Sequence, residues 1–142
     1  MLKKDRICFW IKSDRELTTQ EENLKSYLRT VIQSMQFFDV EFFNGPYSCL
    51  KEKAKDYYMV IVFHRVRKNT SDVNFDPNYD ELGKTVPVIV LNDCQDYTTV
   101  KISFISNTSK VSVINYKSRN DAMLKLVGEI SHYSLNNTFS RP

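Results

Sequence analysis

The polar chemistry of this chain gathers where its apolar runs stop. His64-Arg65-Val66-Arg67-Lys68 follows directly on the apolar run 58–63, Ser13-Asp14 follows the first run and Lys12, Asn92-Asp93 follows 85–91, and Lys117-Ser118-Arg119 follows 111–116. Guanidinium groups fork onto a phosphate or carboxylate through two parallel hydrogen bonds, and a lysine adds a compact charge. Ser13, Asp14, His64, Arg65, Arg67, Asn92, Asp93 and Lys117 are therefore the candidate anion-facing or partner-facing set. Arg65, Arg67 and Lys117 would hold the anion, and Asp14 or Asp93 would orient their neighbours. The same residues also read as ordinary solvated loop side chains.

Other chemistries find less material. The chain has three glycines and neither a G-x-G-x-x-G nor a Walker loop, so backbone cradles for phosphate are poorly supplied. The loop after the first strand also lacks the Ser/Thr/Gly/Asn density of a flavin phosphate loop. Two histidines, His64 and His132, stand far apart with no paired cysteines nearby, which gives a zinc site little support. Cys8, Cys49 and Cys94 are odd in number and widely spaced, as suits reduced thiols. Cys94 stands in Asn-Asp-Cys-Gln-Asp, where two carboxylates would raise its pKa and blunt it as a nucleophile. No catalytic residue, metal or cofactor is implied.

The elements that must position the candidate set follow from periodicity. Residues 6–12 are apolar on both faces at their centre, a first strand inside a sheet. Thr19 with Glu22 has the spacing of a capping box. Leu24, Tyr27, Leu28, Val31, Ile32 and Met35 then recur as one helix face. Phe38, Val40 and Phe42 alternate with acids, a half-buried edge strand ended by Asn44-Gly45-Pro46. A short helix over 47–56 leads to a central strand over 58–63, and 78–83 is at most two helical turns. Further strands are expected at 85–91 and 111–116, and an extended segment at 99–105. Ser118 with Asp121 caps a last helix, and 135–142 reads as a loose tail after a single domain over 1–134.

Strands alternating with helices predict an α/β fold with a mostly parallel five-stranded sheet. A polar second strand beside apolar strands 1, 3 and 4 predicts the flavodoxin-like order 2-1-3-4-5. In that order the first and last helices share one face of the sheet. The other is thinly covered, and either irregular loops or a protein partner, including a second copy of the chain, must close it.

Composition bounds the setting. The 142 residues suit one domain, with 42% hydrophobic and 13% aromatic residues. A net charge of +3 from 20 basic and 17 acidic residues is small for a dedicated nucleic-acid binder, although Lys51, Lys53, Lys55 and Arg65 to Lys68 would form the basic surface of one. The apolar runs fall far short of the ~20 residues of a membrane span. The amino terminus has no small-residue cleavage site, so the expected compartment is the cytoplasm, with the nucleus left open. Sequons at Asn69, Asn107 and Asn136 would matter only in a secreted protein.

Two families share segments with this sequence. "TVPVIVLND" (85–93) followed by "INYKS" (114–118) resembles the fourth strand and the strand-5 lysine of response-regulator receiver domains. The resemblance puts Asn92 at the receivers' Ser/Thr position and Lys117 at their lysine. Receivers carry an acidic pair after strand 1 for magnesium and a phosphate-accepting aspartate ending strand 3. Here those places hold Lys12-Ser13-Asp14 and Phe63-His64. Magnesium needs hard oxygen ligands and an aspartyl phosphate needs an aspartate, so the resemblance implies a pseudo-receiver. His64 is then either a phosphate acceptor of another kind or an ordinary strand-end histidine.

"RICFWIKSDREL" (6–17) and "AKDYYMVIVFHRV" (54–66) resemble the first strand and box, and the helix and third strand, of TIR domains. The S-x-W-C-x-x-E segment with that family's catalytic glutamate is missing, and Glu81 is the nearest candidate. This resemblance implies adaptor-type assembly more than NAD cleavage. The expected function is a non-catalytic signalling or interaction module, acting through binding or self-association. The alternative is an enzyme or sensor that takes a nucleotide or phosphorylated metabolite at the basic strand ends.

Overall fold

Five short runs rich in Val, Ile and Phe pair side by side as parallel strands, and the central ones are too apolar to leave either face in water. The computed structural model describes residues 5–12, 16–64, 77–93 and 109–140, apart from the side chains of Asp93 and of 134–140. Strands β1 (Asp5–Lys12), β2 (Phe38–Gly45), β3 (Met59–His64), β4 (Val88–Asp93) and β5 (Val111–Tyr116) form one sheet. Its order is β2-β1-β3-β4-β5, and every neighbouring pair is parallel. Helices α1 (Thr19–Ser34), α2 (Tyr47–Lys53), α3 (Pro77–Gly83) and α4 (Arg119–Ser140) connect or follow them, with a 3-10 turn at Ala54–Asp56. This is the flavodoxin-like arrangement that the apolar pattern predicts. Among the described residues no helix is long and apolar enough to cross a membrane.

The period of two sorts each strand between two cores. Ile7, Phe9, Ile61, Phe63, Ile89 and Leu91 meet Leu24, Leu28 and Ile32 of α1 and Ala122, Leu126 and Ile130 of α4. On the opposite face Cys8, Trp10, Val60, Val62, Val88 and Val90 meet Leu50 of α2, Ala54 and Tyr57 of the turn, and Tyr79, Leu82 and Val86 from α3 and the turn after it. Among the described residues that second cover is two seven-residue helices and a 3-10 turn, against helices of 16 and 22 residues on the first face. At the centre of this face Cys8, Val60, Val62, Val88 and Val90 are all buried within the chain.

Several local details differ from the sequence reading. The box that opens α1 is Thr18 with Glu21, one residue before the expected pair. Thr18 Oγ1 accepts the Glu21 amide at 3.1 Å and Glu21 Oε1 accepts the Thr18 amide at 3.0 Å. Both pairs have the required spacing. In the observed register Glu21 is buried over the cap and Glu22 is free to meet Lys25 at 2.8 Å. Strand β4 begins at Val88 and not at 85, because the amides of Thr85 and Val86 still bond to Leu82 O and Pro87 has no amide proton to give. The last helix continues to Ser140, where a tail is expected from 135; no Gly or Pro interrupts 129–140, so nothing in that stretch breaks the backbone ladder. The expected extended segment at 99–105 lies outside the described residues.

Two close approaches lock the thin cover in place. Gly83 ends α3 where an added Cβ would lie 2.5 Å from Val111 Cγ2, and its carbonyl accepts the Lys110 amide at 2.8 Å. The Ser109 hydroxyl lies 2.6 Å from Asp80 O and 2.7 Å from Asp80 Oδ1, and its single proton serves one of them at a time. Together these contacts tie α3 to the approach of β5.

Candidate functional site

In an open parallel sheet the carboxyl ends of the strands form the crevice where ligands bind, near the point where strand order reverses. Here that point lies between β1 and β3. Alternation decides what the ends present. Phe63 turns into the α1/α4 core, stacked on Phe9 with ring centroids 6.2 Å apart, so His64 belongs to the face covered by α2 and α3. His64 is level with Asn92 on β4, and Asn92 with Asn115 on β5. Trp10 is level with Val62, which puts Lys12 two residues beyond it at the same end of the sheet.

Tyr79 of α3 joins this row from above. It is fully buried, edge-on to Trp10 at 6.2 Å and to His64 at 6.0 Å. Lys12 Nζ donates to Tyr79 Oη at 3.2 Å and lies 5.0 Å from the centroid of the same ring and 5.7 Å from that of Trp10. Tyr79 Oη is also 3.5 Å from His64 Nδ1. Trp10 is itself anchored, since its indole N–H donates to the Gly45 carbonyl at 3.0 Å. Further along the row Asn92, completely buried, donates through Nδ2 to Asn115 Oδ1 at 2.9 Å.

At the β5 end the turn into α4 is stitched by one carboxylate. Asp121 Oδ2 accepts the Lys117 amide and the Lys125 ammonium, each at 3.2 Å, and Lys125 also donates to Asn115 O at 2.9 Å. The Lys117 amide first and the Lys125 ammonium second hold the Asp121 carboxyl below the usual carboxylate range. Ser118 Oγ caps α4 by accepting the Asp121 amide at 3.1 Å. The expected box is thus half formed, because the carboxylate takes the amide of Lys117 and leaves that of Ser118.

Of the candidate set, the structure brings His64 and Asn92 side by side. It places Lys117 in the β5–α4 turn and Asp93 at the last position of β4, level with Tyr116. Ser13, Asp14, Arg65 and Arg67 lie outside the described residues, as does Cys94. Lys12, Tyr79 and Asn115 were absent from the expected set. Lys12 and Asn115 have a sequence signal, being the polar residues at which the apolar alternation of β1 and β5 ends. Tyr79 has none, because its place depends on how α3 folds back over the sheet.

Other candidates resolve into structural roles. Glu81 is half exposed on α3 and paired with Lys51 of α2 at 2.8 Å, outside the row of strand ends. The buried Cys8 thiol has its pKa pushed up to about 12, chiefly by burial, and such a thiol is a poor nucleophile. Its neighbour Tyr57 donates its hydroxyl proton to Glu41, which Lys53 and Arg6 flank at 3.7 and 3.8 Å. Among the described residues no three His, Cys, Asp or Glu side chains gather into a metal-binding group.

Comparison with known proteins gives likeness of fold alone. No family model matches the sequence, and no curated protein matches it either. A solved chain described as a "putative lipoprotein from Peptoclostridium difficile 630 (fragment)" superposes with a TM-score of 0.50 at 10% identity, over 90% of this chain and 99% of that one. A cobalamin-binding protein from Desulfitobacterium hafniense DCB-2 gives a TM-score of 0.47 at 11% identity, over 90% of this chain and 59% of its own. At such identities the first likeness speaks for the architecture and for nothing the fold carries.

Proposed function

We propose that this chain is a non-catalytic binding domain of the cytoplasm, a degenerate signalling module of pseudo-receiver or TIR-like kind that acts through what docks at the carboxyl edge of its sheet. One observation carries the reading. Strand β3 ends in Phe63, packed into the core, and His64, held against Tyr79. The place where a phosphate-accepting aspartate would stand is occupied by a phenylalanine and an imidazole, next to the ammonium of Lys12. Hard-cation binding and aspartyl phosphorylation both need carboxylates there.

The test is exposure to acetyl phosphate and magnesium, followed by intact mass. The expected result is no phosphoryl adduct stable at acid pH and labile to hydroxylamine. Such an adduct on an aspartate would overturn the proposal. A protein partner or second copy remains the other docking candidate. The buried centre of the α2/α3 face leaves the half-buried Val111 and Val113 of β5 as the apolar margin it would use.

A second reading, a sensor or enzyme for a nucleotide or phosphorylated metabolite at the same edge, is favoured by the Lys12–Tyr79–His64 cluster. The cluster lies at the carboxyl ends of β1 and β3, where α/β sheets take ligands. A thermal-shift panel of nucleotides and phosphometabolites separates it from the first, since stabilisation by one of them that is lost in His64→Leu would favour the small ligand.

A further inference from the structure

Strand β2 is one edge of the sheet and, among the described residues, pairs with β1 alone. Which of its backbone groups stay open follows from a bond on the far side of β1. The Tyr58 amide donates to Arg6 O at 2.7 Å, so Arg6 turns its backbone toward β3. By alternation Ile7, Phe9 and Ile11 turn theirs toward β2, where they are level with Val40, Phe42 and Asn44. A residue in a parallel ladder bonds to the two neighbours of the one opposite it, so Asp39, Glu41, Phe43 and Gly45 complete the ladder. The Gly45 carbonyl agrees, since it turns inward to accept the Trp10 indole N–H. Val40, Phe42 and Asn44 are left with their N–H and C=O groups directed away from the sheet.

An open edge of this kind takes another strand, and the side chains beside it select which one. On the α2 face Lys53 stands by both Glu41 and Phe43, with its Nζ 3.7 Å from Glu41 Oε2 and 5.2 Å from the Phe43 ring centroid. The side chains of Glu41 and Lys53 keep 30% and 48% of their surface in solvent. On the α1 face the half-buried Phe42 packs on Phe9, and Lys25 and Arg29 lie 4.7 and 5.6 Å from its centroid.

We propose that β2 pairs with the same strand of a second copy of this chain, antiparallel about a two-fold axis at Phe42, to make one continuous sheet. In that register Phe42 meets the partner's Phe42 and Val40 meets the partner's Asn44, in reciprocal pairs that give about six inter-chain hydrogen bonds. Glu41 then stands opposite the partner's Phe43, which brings the partner's Lys53 to Glu41. The two-fold repeats the contact, so two carboxylates and two ammonium groups alternate around the axis. Centring the axis on Glu41 would instead set the two carboxylates opposite each other. Lys25 and Arg29 flank the Phe42 pair on both copies, a repulsion that Glu22, 2.8 Å from Lys25, offsets in part and that keeps the pairing weak and reversible. The contact lies at the side of the sheet and stands or falls independently of what docks at its carboxyl edge.

The experiment is sedimentation velocity of the full chain from about 10 µM to about 1 mM, with amide hydrogen exchange resolved by NMR over the same range. A dimer is expected to grow in with concentration, and the Val40, Phe42 and Asn44 amides should slow with it. Asn44→Pro, at an exposed position whose N–H lies outside the β1 ladder, should weaken the dimer about tenfold or more while far-UV circular dichroism stays unchanged. Lys53→Glu should weaken it similarly. The exchanged pair Glu41→Lys with Lys53→Glu should restore it to within a few-fold, which a merely damaged fold would not do.

A chain still monomeric at the highest concentration overturns the proposal, as does a dimer whose slowed amides lie outside β2. Slow exchange of the Val40, Phe42 and Asn44 amides in the monomer overturns it in favour of cover from within the chain. A dimer indifferent to Asn44→Pro overturns the strand pairing, and one that the exchanged pair fails to restore overturns the register.

Discussion

His64, Cys8 and Gln36 show how far a side chain's chemistry depends on what lies over it. A strand-end histidine is an ambiguous residue by itself. Tyr79 sets a phenol oxygen 3.5 Å from the Nδ1 of this one and an aromatic edge against its ring. Cys8 shows the opposite outcome. Burial raises its thiol to about 12 from an ordinary 9.0, so the folded chain keeps the proton where the unfolded chain loses it. Between those values the unfolded state binds fewer protons, and stability must fall as pH rises, by at most roughly 1.4 kcal/mol per pH unit for this one group. Urea midpoints at about pH 8 and pH 10 should show the decline, and Cys8→Ala should flatten it. Gln36 closes α1 with a φ of 66°, a left-handed conformation that costs an ordinary residue about 1–2 kcal/mol. Glycine would relieve that while adding about 0.5–1 kcal/mol of unfolded-state entropy. Gln36→Gly is therefore expected to stabilise by about 0.5 kcal/mol, read as a small rise in urea midpoint.

Elements supply the next constraint, and the caps show it best. Residues 18–22 read Thr-Thr-Gln-Glu-Glu, so two capping boxes compete one residue apart. The sequence cannot separate them, because both satisfy the same spacing and neither rotates the apolar stripe of α1. Tertiary burial of Glu21 selects the first. Thr18→Ala should cost about 1 kcal/mol and Thr19→Ala well under half of that, measured by chemical denaturation. Helix α3 is decided in the same way. Seven residues are too few to be stable as a helix alone, and its place comes from Leu82 and Tyr79 in the core and from Gly83 against Val111. A methyl group at 83 would meet the backbone of Lys110 as well as a side chain, so Gly83→Ala should destabilise by about 1–3 kcal/mol. It should also disturb the edge-on contact of Tyr79 with His64, visible as a changed His64 imidazole resonance.

At the scale of the whole molecule the question is how the thinly covered face is closed. Strand periodicity predicts the two apolar faces correctly, and the lengths of the connecting helices predict which one has less cover. Neither says whether the cover suffices. The structure answers at the centre of that face, where Val62, Val88 and Val90 are buried within the chain itself. Val90→Ala is accordingly expected to cost about 1–2 kcal/mol of stability that does not change with protein concentration. A loss that shrinks as concentration rises would mean that a second copy completes this core.

What the sequence determined alone is the part of the protein written in short periods. Alternation of two marks the strands. Doubly apolar β3 and β4 must be central and half-polar β2 must be an edge, and that is enough to order the sheet. The endings of those same runs identify His64 and Asn92 as neighbours at the carboxyl edge. Only the tertiary structure decided the rest of the candidate site. Lys12 and Tyr79 meet across 67 positions of chain, and Asn92 and Asn115 across 23. No local pattern records such distances, because the first contact is made by a two-turn helix packed on the sheet and the second by two paired strands, and both need the order of the sheet to exist first.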